Sequence, residues 1–459
     1  MSIEVRQIQA SHHRRPAFAS RCADVFVFML GCGTLFSIHF VGDLYVAEIL
    51  LVVAFTAILF VRGRRAIRPE LKFVYALMAF WLLGQTISDV YNHIPIVDRL
   101  RGTALIVFFA IDIVGISILI GNNLRRKILY LLGLTVGALA QVKLQPSPAA
   151  EDYPWKFGYA FGTMLAVMLI SSYFYGRQRY ALSGLLVLGI CGVNALLNYR
   201  SPILQLLLTL AVVYPIVPER LGSLRILPQS QLGRLLILAV LALAAAASAD
   251  ELVKFVTRAG YIGQDAQEKN EAQEKAGNLL IGGRPEFLIG LRAALDEPLL
   301  GHGSWAKDPK YYKLMYDAQV EREVVPEQNG GDILELEGNP LIPGHSHIVS
   351  AWVWAGIAGL IFWTYVIWLV LKGMARIAIL RPTLAPVYMW FLIAMLWDIF
   401  FSPFGANRRM EEAFVIVIIA DLFKDKLVMH AKPWQRMGAA GRLDYAASFR
   451  NSMTPRRVR

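Results

Sequence analysis

TALIVFFAIDIVGISILIG (103–121), NNLRRK (122–127) and ILYLLGLTVGALAQV (128–142) follow one another without a gap, and this alternation decides the fold class. Crossing the hydrocarbon core of a bilayer takes about 20 apolar residues of helix. A short basic turn between two such blocks marks the side on which Lys and Arg are retained. Outward from this point the pattern recurs along the chain, with apolar blocks near 24–42, 44–61, 71–88, 157–174, 181–198, 203–218, 235–249, 347–371, 384–401 and 412–423. The chain has 459 residues, of which 56% are hydrophobic and only 17% charged, with a mean hydropathy of +0.48. A soluble domain carries about a quarter charged residues. The balance excludes a soluble enzyme, a disordered chain and a fibrous repeat. The expectation is an all-α polytopic membrane protein with about twelve transmembrane helices and one large helical loop.

Placing the N-terminus in the cytoplasm puts 29 of the 46 Lys and Arg on the cytoplasmic side, among them those of RGRRAIR (62–68) and NNLRRK. Both termini are then cytoplasmic, and the net charge of +12 belongs to that face, where anionic lipids are the expected partners. The basic residues are scattered over many segments, which argues against nucleic acid as a partner. Arg14, Arg15 and Arg21 precede the first apolar block, and the absence of a small-residue cleavage site marks that block as an uncleaved span. Cys22, Cys32 and Cys191 are odd in number and far apart, which fits neither a disulfide framework nor a zinc knuckle.

The organisation expected is nine spans with a basic N-terminus over 1–249, a loop subdomain over 250–346, three spans over 347–423 and a basic tail over 424–459. A loop of that length calls for structure of its own. GQDAQEKNEAQEKAGN (263–278) is polar all round and reads as an exposed helix or arm. In RPEFLIGLRAALDEPLLG, Pro285 suits a first helical turn and Pro298 a stop, while Phe287, Leu288, Leu291 and Leu295 share one face. A second helix is expected over about Asp308–Glu321, where the tyrosines mark an interface or stack on sugar.

On the outer side a few residues carry chemical potential. Arg200, in the short hairpin NYRSP, is either an interfacial anchor or a holder of an anion. Arg284 opens the amphipathic loop helix, either as a solvated cation or beside the positive end of a helix dipole. His345 and His347, in PGHSHIVSAW, lack a carboxylate or thiol at ligand spacing, so no metal is expected there. They are helix-entry residues or a general base, since imidazole titrates near neutral pH. Arg408 and Arg409 can widen an anion-binding surface, and Glu48, Asp112 and Asp398 lie within spans, where carboxylates are functional candidates.

Three stretches resemble the O-antigen ligase and polymerase family of bacterial envelopes. GGRPEFLIGLRAALDEPLLGHG (282–303) is similar to the family's arginine, amphipathic helix, proline-leucine pair and Gly-x-Gly turn. HSHIVSAWVWAGIAGLIFW (345–363) resembles its His-Asn stretch running into a span through a Gly-x-x-Gly step, with Ser346 in place of asparagine and His345 on the family's histidine. YRSP (199–202) resembles a short outer motif in inverted order. The resemblance implies a GT-C-like, metal-independent and cofactor-free inverting glycosyltransferase of the bacterial inner membrane, with its large loop in the periplasm. The donor it implies is a glycan on undecaprenyl diphosphate, and the acceptor is lipid A–core or, for a polymerase, another lipid-linked glycan. His345 is then the base. Arg200 and Arg284 hold the diphosphate, and His347 and Arg408 complete the substrate surface. A twelve-span secondary transporter or lipid-linked-sugar flippase, with Glu48, Asp112 and Asp398 as coupling residues, is the alternative of another class.

Overall fold

A computed structural model of the chain describes residues 18–39, 43–62, 68–197, 199–214, 285–321 and 340–424. Arg284, the block at 235–249, the polar stretch at 263–278 and the tail beyond 424 lie outside the described residues. The described residues are mostly helical, in the order α1 (Phe18–Gly33), β1 (Ser37–His39), β2 (Asp43–Tyr45), α2 (Val46–Arg62), α3 (Lys72–Tyr91), α4 (Ile96–Leu119) and α5 (Leu124–Leu144). There follow α6 (Pro148–Asp152), α7 (Ala160–Gly176), α8 (Tyr180–Leu196), α9 (Arg200–Val213), α10 (Pro285–Asp296) and α11 (Pro309–Glu321). The last four are α12 (His347–Ala355), α13 (Ile357–Leu380), α14 (Ala385–Phe401) and α15 (Ala406–Lys424). Among the described residues, five helical segments are long and apolar enough to cross a membrane: Pro69–Tyr91, Ile96–Leu119, Leu124–Leu144, Trp155–Gly176 and Ile357–Leu380. Three shorter apolar helices, α8, α9 and α14, stand beside them. The chain is a multi-pass, membrane-embedded helical protein. Phe73, Phe80, Leu83, Ile87 and Val90 on α3 remain exposed, as apolar side chains facing lipid do.

Three boundaries differ from the expected blocks, each for a local reason. The block at 24–42 is not one helix. α1 ends at Gly33, where the Thr34 hydroxyl donates back to the Leu30 carbonyl (3.0 Å). The chain then turns through the antiparallel pair β1–β2, with Ile38 opposite Leu44. Gln145, at the end of α5, closes that pair by accepting from the Ser37 amide (3.1 Å) and donating to its carbonyl (2.9 Å). α4 begins at Ile96, well before the apolar block at 103, because Pro95 starts it and Asp98 sits in its first turn. The block at 347–371 is broken at Gly356, whose φ of 58° is a conformation that favours glycine.

Small residues allow the closest crossing. A Cβ on Gly133 or Gly137 of α5 would overlap the carbonyl oxygens of Phe28 and Cys32 on α1, and one on Gly31 would overlap that of Tyr130. Without a hydrophobic drive between helices in lipid, such backbone approach supplies the packing. At the end of the bundle that holds the α4–α5 turn, two acids gather the basic residues. Asp421 meets Arg68 (2.5 Å) and Lys127 (2.7 Å), and Asp24 meets Arg125 (3.1 Å) and Arg126 (3.2 Å).

Substituting Gly133→Leu is expected to force α1 from α5 and to destabilise the fold by about 1–3 kcal/mol, as overpacking does. Gly189→Leu, at a position with nothing within 4 Å of an added Cβ, leaves stability unchanged. Thermal unfolding in detergent, followed by loss of the monodisperse peak, checks the pair.

Candidate functional site

The segment bearing α10 and α11 is fastened to the opposite end of the bundle from Asp421. Asp89, buried near the end of α3, accepts from the Ser304 amide (2.6 Å) through one carboxylate oxygen and from the Ser304 hydroxyl (2.8 Å) through the other. Gln85, one turn earlier, donates to Ser304 Oγ (2.8 Å), Asp89 (3.3 Å) and the Trp354 carbonyl (3.3 Å). The turn Gly301–Ser304 is also tied to the break between α12 and α13. His302 and Gly303 donate to the carbonyls of Val353 (2.6 Å) and Trp354 (3.1 Å), and Ile357 donates to that of Leu299 (3.2 Å). Both glycines of the turn have positive φ, and a Cβ on Gly356 would overlap the Leu299 carbonyl. The stretches 285–303 and 345–363 are thus packed against each other, joined by backbone bonds at their glycines.

The helices of this segment, α10 and α11, called the lid below, share one carboxylate. Asp296, on α10, accepts from Lys310 Nζ (3.0 Å) and the Tyr311 hydroxyl (2.9 Å) of α11. These two bonds hold its carboxyl below the ordinary aspartate value.

The second construction is the turn between α14 and α15. Phe404 is buried against Trp81, Phe109 and Trp363, with ring centroids 6.1, 5.1 and 5.0 Å apart. Trp81 is at the middle of α3, so this turn dips among the spans instead of clearing them. Polar groups surround it. His347, fully buried, donates from Nδ1 to the Ser402 carbonyl (2.6 Å), while its Nε2 lies 3.4 Å from Glu412 Oε1. The Ser402 hydroxyl donates to Asp398 (2.6 Å). Arg408 Nη1 sits between Asp398 and Glu411, at 3.3 Å from each. Arg409 grips Glu48 through Nε (2.6 Å) and Nη2 (2.9 Å), a buried bidentate pair.

The residues singled out from the sequence divide accordingly. His345 is exposed beside Ser346, whose hydroxyl caps α12 and donates to the Ile399 carbonyl of α14 (2.8 Å). Arg200, half-buried, opens α9, and its neighbour Tyr199 lies within electrostatic reach of Arg408 and Asp398. Phe287 of α10 faces Phe401 (6.3 Å between centroids). The last turn of α14 is therefore the common neighbour of the segments bearing Arg200, His345, His347 and Arg408. Within that group His347 and Arg408 are engaged by protein partners, Ser402 and Glu412 for the one, Asp398 and Glu411 for the other. Arg284 lies outside the described residues. Of the three acids in spans, Glu48 and Asp398 are paired with arginines, and the oxygens of Asp112 have no hydrogen-bond partner among the described residues. No group of three or more His, Cys, Asp or Glu is arranged for a metal ion among the described residues.

Sequence reasoning missed Asp89, Gln85 and Ser304, and also Glu411 and Glu412. Asp89 carried a signal, a lone acid following an apolar run. Glu411 and Glu412 follow Arg408 and Arg409 at helical spacing, in a segment that is otherwise apolar. No family model matches the chain, and no curated protein matches it at a significant level.

Two outcomes are expected. Asp89→Ala leaves the Ser304 donors without their acceptor, a loss of about 1–3 kcal/mol for a buried group, and detaches the turn. Hydrogen exchange should then accelerate across 299–306 and stay unchanged across 72–85. The second concerns pH. Because the Asp296 carboxyl titrates lower when folded, its bonds stabilise the α10–α11 contact above the ordinary aspartate value of about 3.9 and are lost as pH falls through the lower folded value. In Asp296→Asn the amides of 309–321 should exchange at neutral pH as fast, relative to their intrinsic rates, as wild type does only in acid.

Proposed function

We propose that this protein transfers a glycan from undecaprenyl diphosphate to an acceptor hydroxyl at the membrane face bearing the 285–346 segment, with lipid A–core as the acceptor. The observation that carries the reading is the docking of the Gly301–Gly303 turn onto the helix break at Gly356. It joins the two longest stretches that resemble the ligase and polymerase family, and it leaves His345 exposed at their junction. The finer architecture belongs to the same proposal: about twelve spans, a GT-C-like arrangement, termini in the cytoplasm, and the lid in the periplasm of a bacterial inner membrane.

Under this reading the acceptor oxygen attacks the anomeric carbon from the face opposite the diphosphate. The anomeric C–O bond breaks, the hydroxyl proton passes to the His345 imidazole, and undecaprenyl diphosphate departs with the electron pair. Negative charge grows on the departing phosphate, and arginine, always cationic and bidentate, stabilises it best where water is excluded. Arg200 and Arg284 are assigned that task. His347 and Arg408, already engaged by Ser402, Glu412, Asp398 and Glu411, hold the 402–405 turn under the site. No nucleotide-binding fold is required, because the sugar arrives activated on its lipid.

One observation favours a second reading, secondary transport: carboxylates lie in the interior of the bundle, where transporters place their coupling groups.

Purified protein given lipid-linked donor and lipid A–core acceptor should form the conjugate. His345→Ala should slow transfer by about 10²–10⁴-fold, the usual contribution of a positioned base, while donor binding persists. Normal transfer by Arg284→Ala contradicts the proposal. Product made only with a second lipid-linked glycan as acceptor reassigns the enzyme as a polymerase, and solute flux lost with Glu48→Gln or Asp398→Asn in the absence of any transfer supports transport instead.

A further inference from the structure

Five carboxylates meet around the first turns of α15: Glu48, Asp112, Asp398, Glu411 and Glu412. They face two guanidiniums, Arg408 and Arg409, and one imidazole, His347. Among the described residues of this cluster, acids outnumber cations even with His347 protonated. The distribution of donors shows which acid is left over. Glu48 receives three, from Arg409 Nε, Arg409 Nη2 and the Tyr45 amide (2.9 Å). Asp398 has the Ser402 hydroxyl and Arg408, Glu411 shares Arg408, and Glu412 has His347. Asp112, on α4, is 0% exposed, and neither of its oxygens has a hydrogen-bond partner among the described residues.

An ionised carboxylate taken out of water with no partner is so costly that the group neutralises instead. Neutralisation by a metal cation does not suit this place. The Arg409 guanidinium acts on Asp112 electrostatically and repels a second cation, and no set of ligands surrounds it among the described residues. The remaining counter-charge is a proton. Among the described residues, the charged and titratable groups that act on it come from three elements: Glu48 of α2, Arg409 of α15 and the Tyr130 phenol of α5. One turn from Asp112 on α4, Phe109 is walled by Phe362 and Trp363 of α13, which supply no charge.

We propose that Asp112 is a proton-binding site in the interior of the helix bundle, neutral while Glu48 holds Arg409, and that its proton passes to Glu48 when Arg409 moves from Glu48 to Asp112. The two carboxylates share one guanidinium, so one of them carries a proton at any time. The site rests on the burial of Asp112, the missing partners of its oxygens among the described residues and the Glu48–Arg409 pair. It stands whether or not glycan transfer is the activity, and a failed transfer assay leaves it intact.

The test is infrared spectroscopy of the full chain in vesicles of phosphatidylethanolamine and phosphatidylglycerol, reading the carbonyl stretch of protonated carboxyl groups and its shift in deuterium oxide. Wild type minus Asp112→Asn should show the loss of one buried acid carbonyl. Glu48→Gln, which frees Arg409, should lose the same band as Asp112 ionises against the guanidinium. A spectrum of Asp112→Asn that superimposes on wild type in this region overturns the proposal. Should that variant fail to fold, an undiminished acid band in Glu48→Gln overturns it equally.

Discussion

Asp89 accepts both donors of Ser304, and that pair of bonds ties the turn before α11 to the end of α3. A carboxylate buried where a span leaves the apolar core must be satisfied by fixed donors, because water is scarce there. Ser304 supplies two of them from a turn that is remote in sequence, and Gln85 completes the set while reaching the Trp354 carbonyl. Once the turn is held, Gly301 and Gly303 fall against the ends of α12 and α13, and Gly356 takes its left-handed conformation beneath Leu299. α12 then begins where Ser346 can cap it and bond Ile399, which leaves His345 at the surface of the junction. Lid turn and helix break are thus linked to one buried acceptor through a continuous set of hydrogen bonds.

Beneath that junction the chain places charge where charge is expensive. The turn carrying Phe404 inserts among aromatic rings at the middle of the bundle, and α15 starts inside it with Arg408 and Arg409 in its first turn. Both guanidiniums are matched to carboxylates of other elements: Arg409 to Glu48 of α2, Arg408 to Asp398 of α14. Such pairs add little net stability relative to apolar packing, but removing one partner strands a buried charge at a cost of about 3–5 kcal/mol. They therefore fix register more than they add stability, and a guanidinium so engaged reaches an external anion only by exchanging a partner.

Much of this was legible beforehand where the signal is local. Long apolar blocks punctuated by basic turns became α3, α4 and α5, and the i, i+3/i+4 pattern between Pro285 and Pro298 became α10. The helix expected over Asp308–Glu321 starts one residue later, at Pro309. What hydropathy could not reveal depends on single residues acting at a distance. A window average runs across Gly33 and Gly356, yet the first ends a helix before a hairpin and the second breaks a span. Asp98 and Arg101 fall outside an apolar window, yet α4 extends through them from its start after Pro95, and Lys307 meets Asp98 at 3.7 Å. The sequence singled out Arg408 and Arg409, but of their partners only Glu411 stands at a helical spacing, and no spacing rule links them to Glu48 or Asp398.

Under the proposed function, the lid end receives a lipid diphosphate between Arg200, His345 and the start of α10. It is tested most directly by an electron density map of the full chain with a non-transferable undecaprenyl-diphosphate glycan bound. The account predicts diphosphate density against the Arg200 side chain at the last turn of α14, with the first sugar facing His345. Diphosphate density on the opposite end of the bundle, among Arg68, Arg125 and Lys127, or glycan density remote from His345, would contradict it.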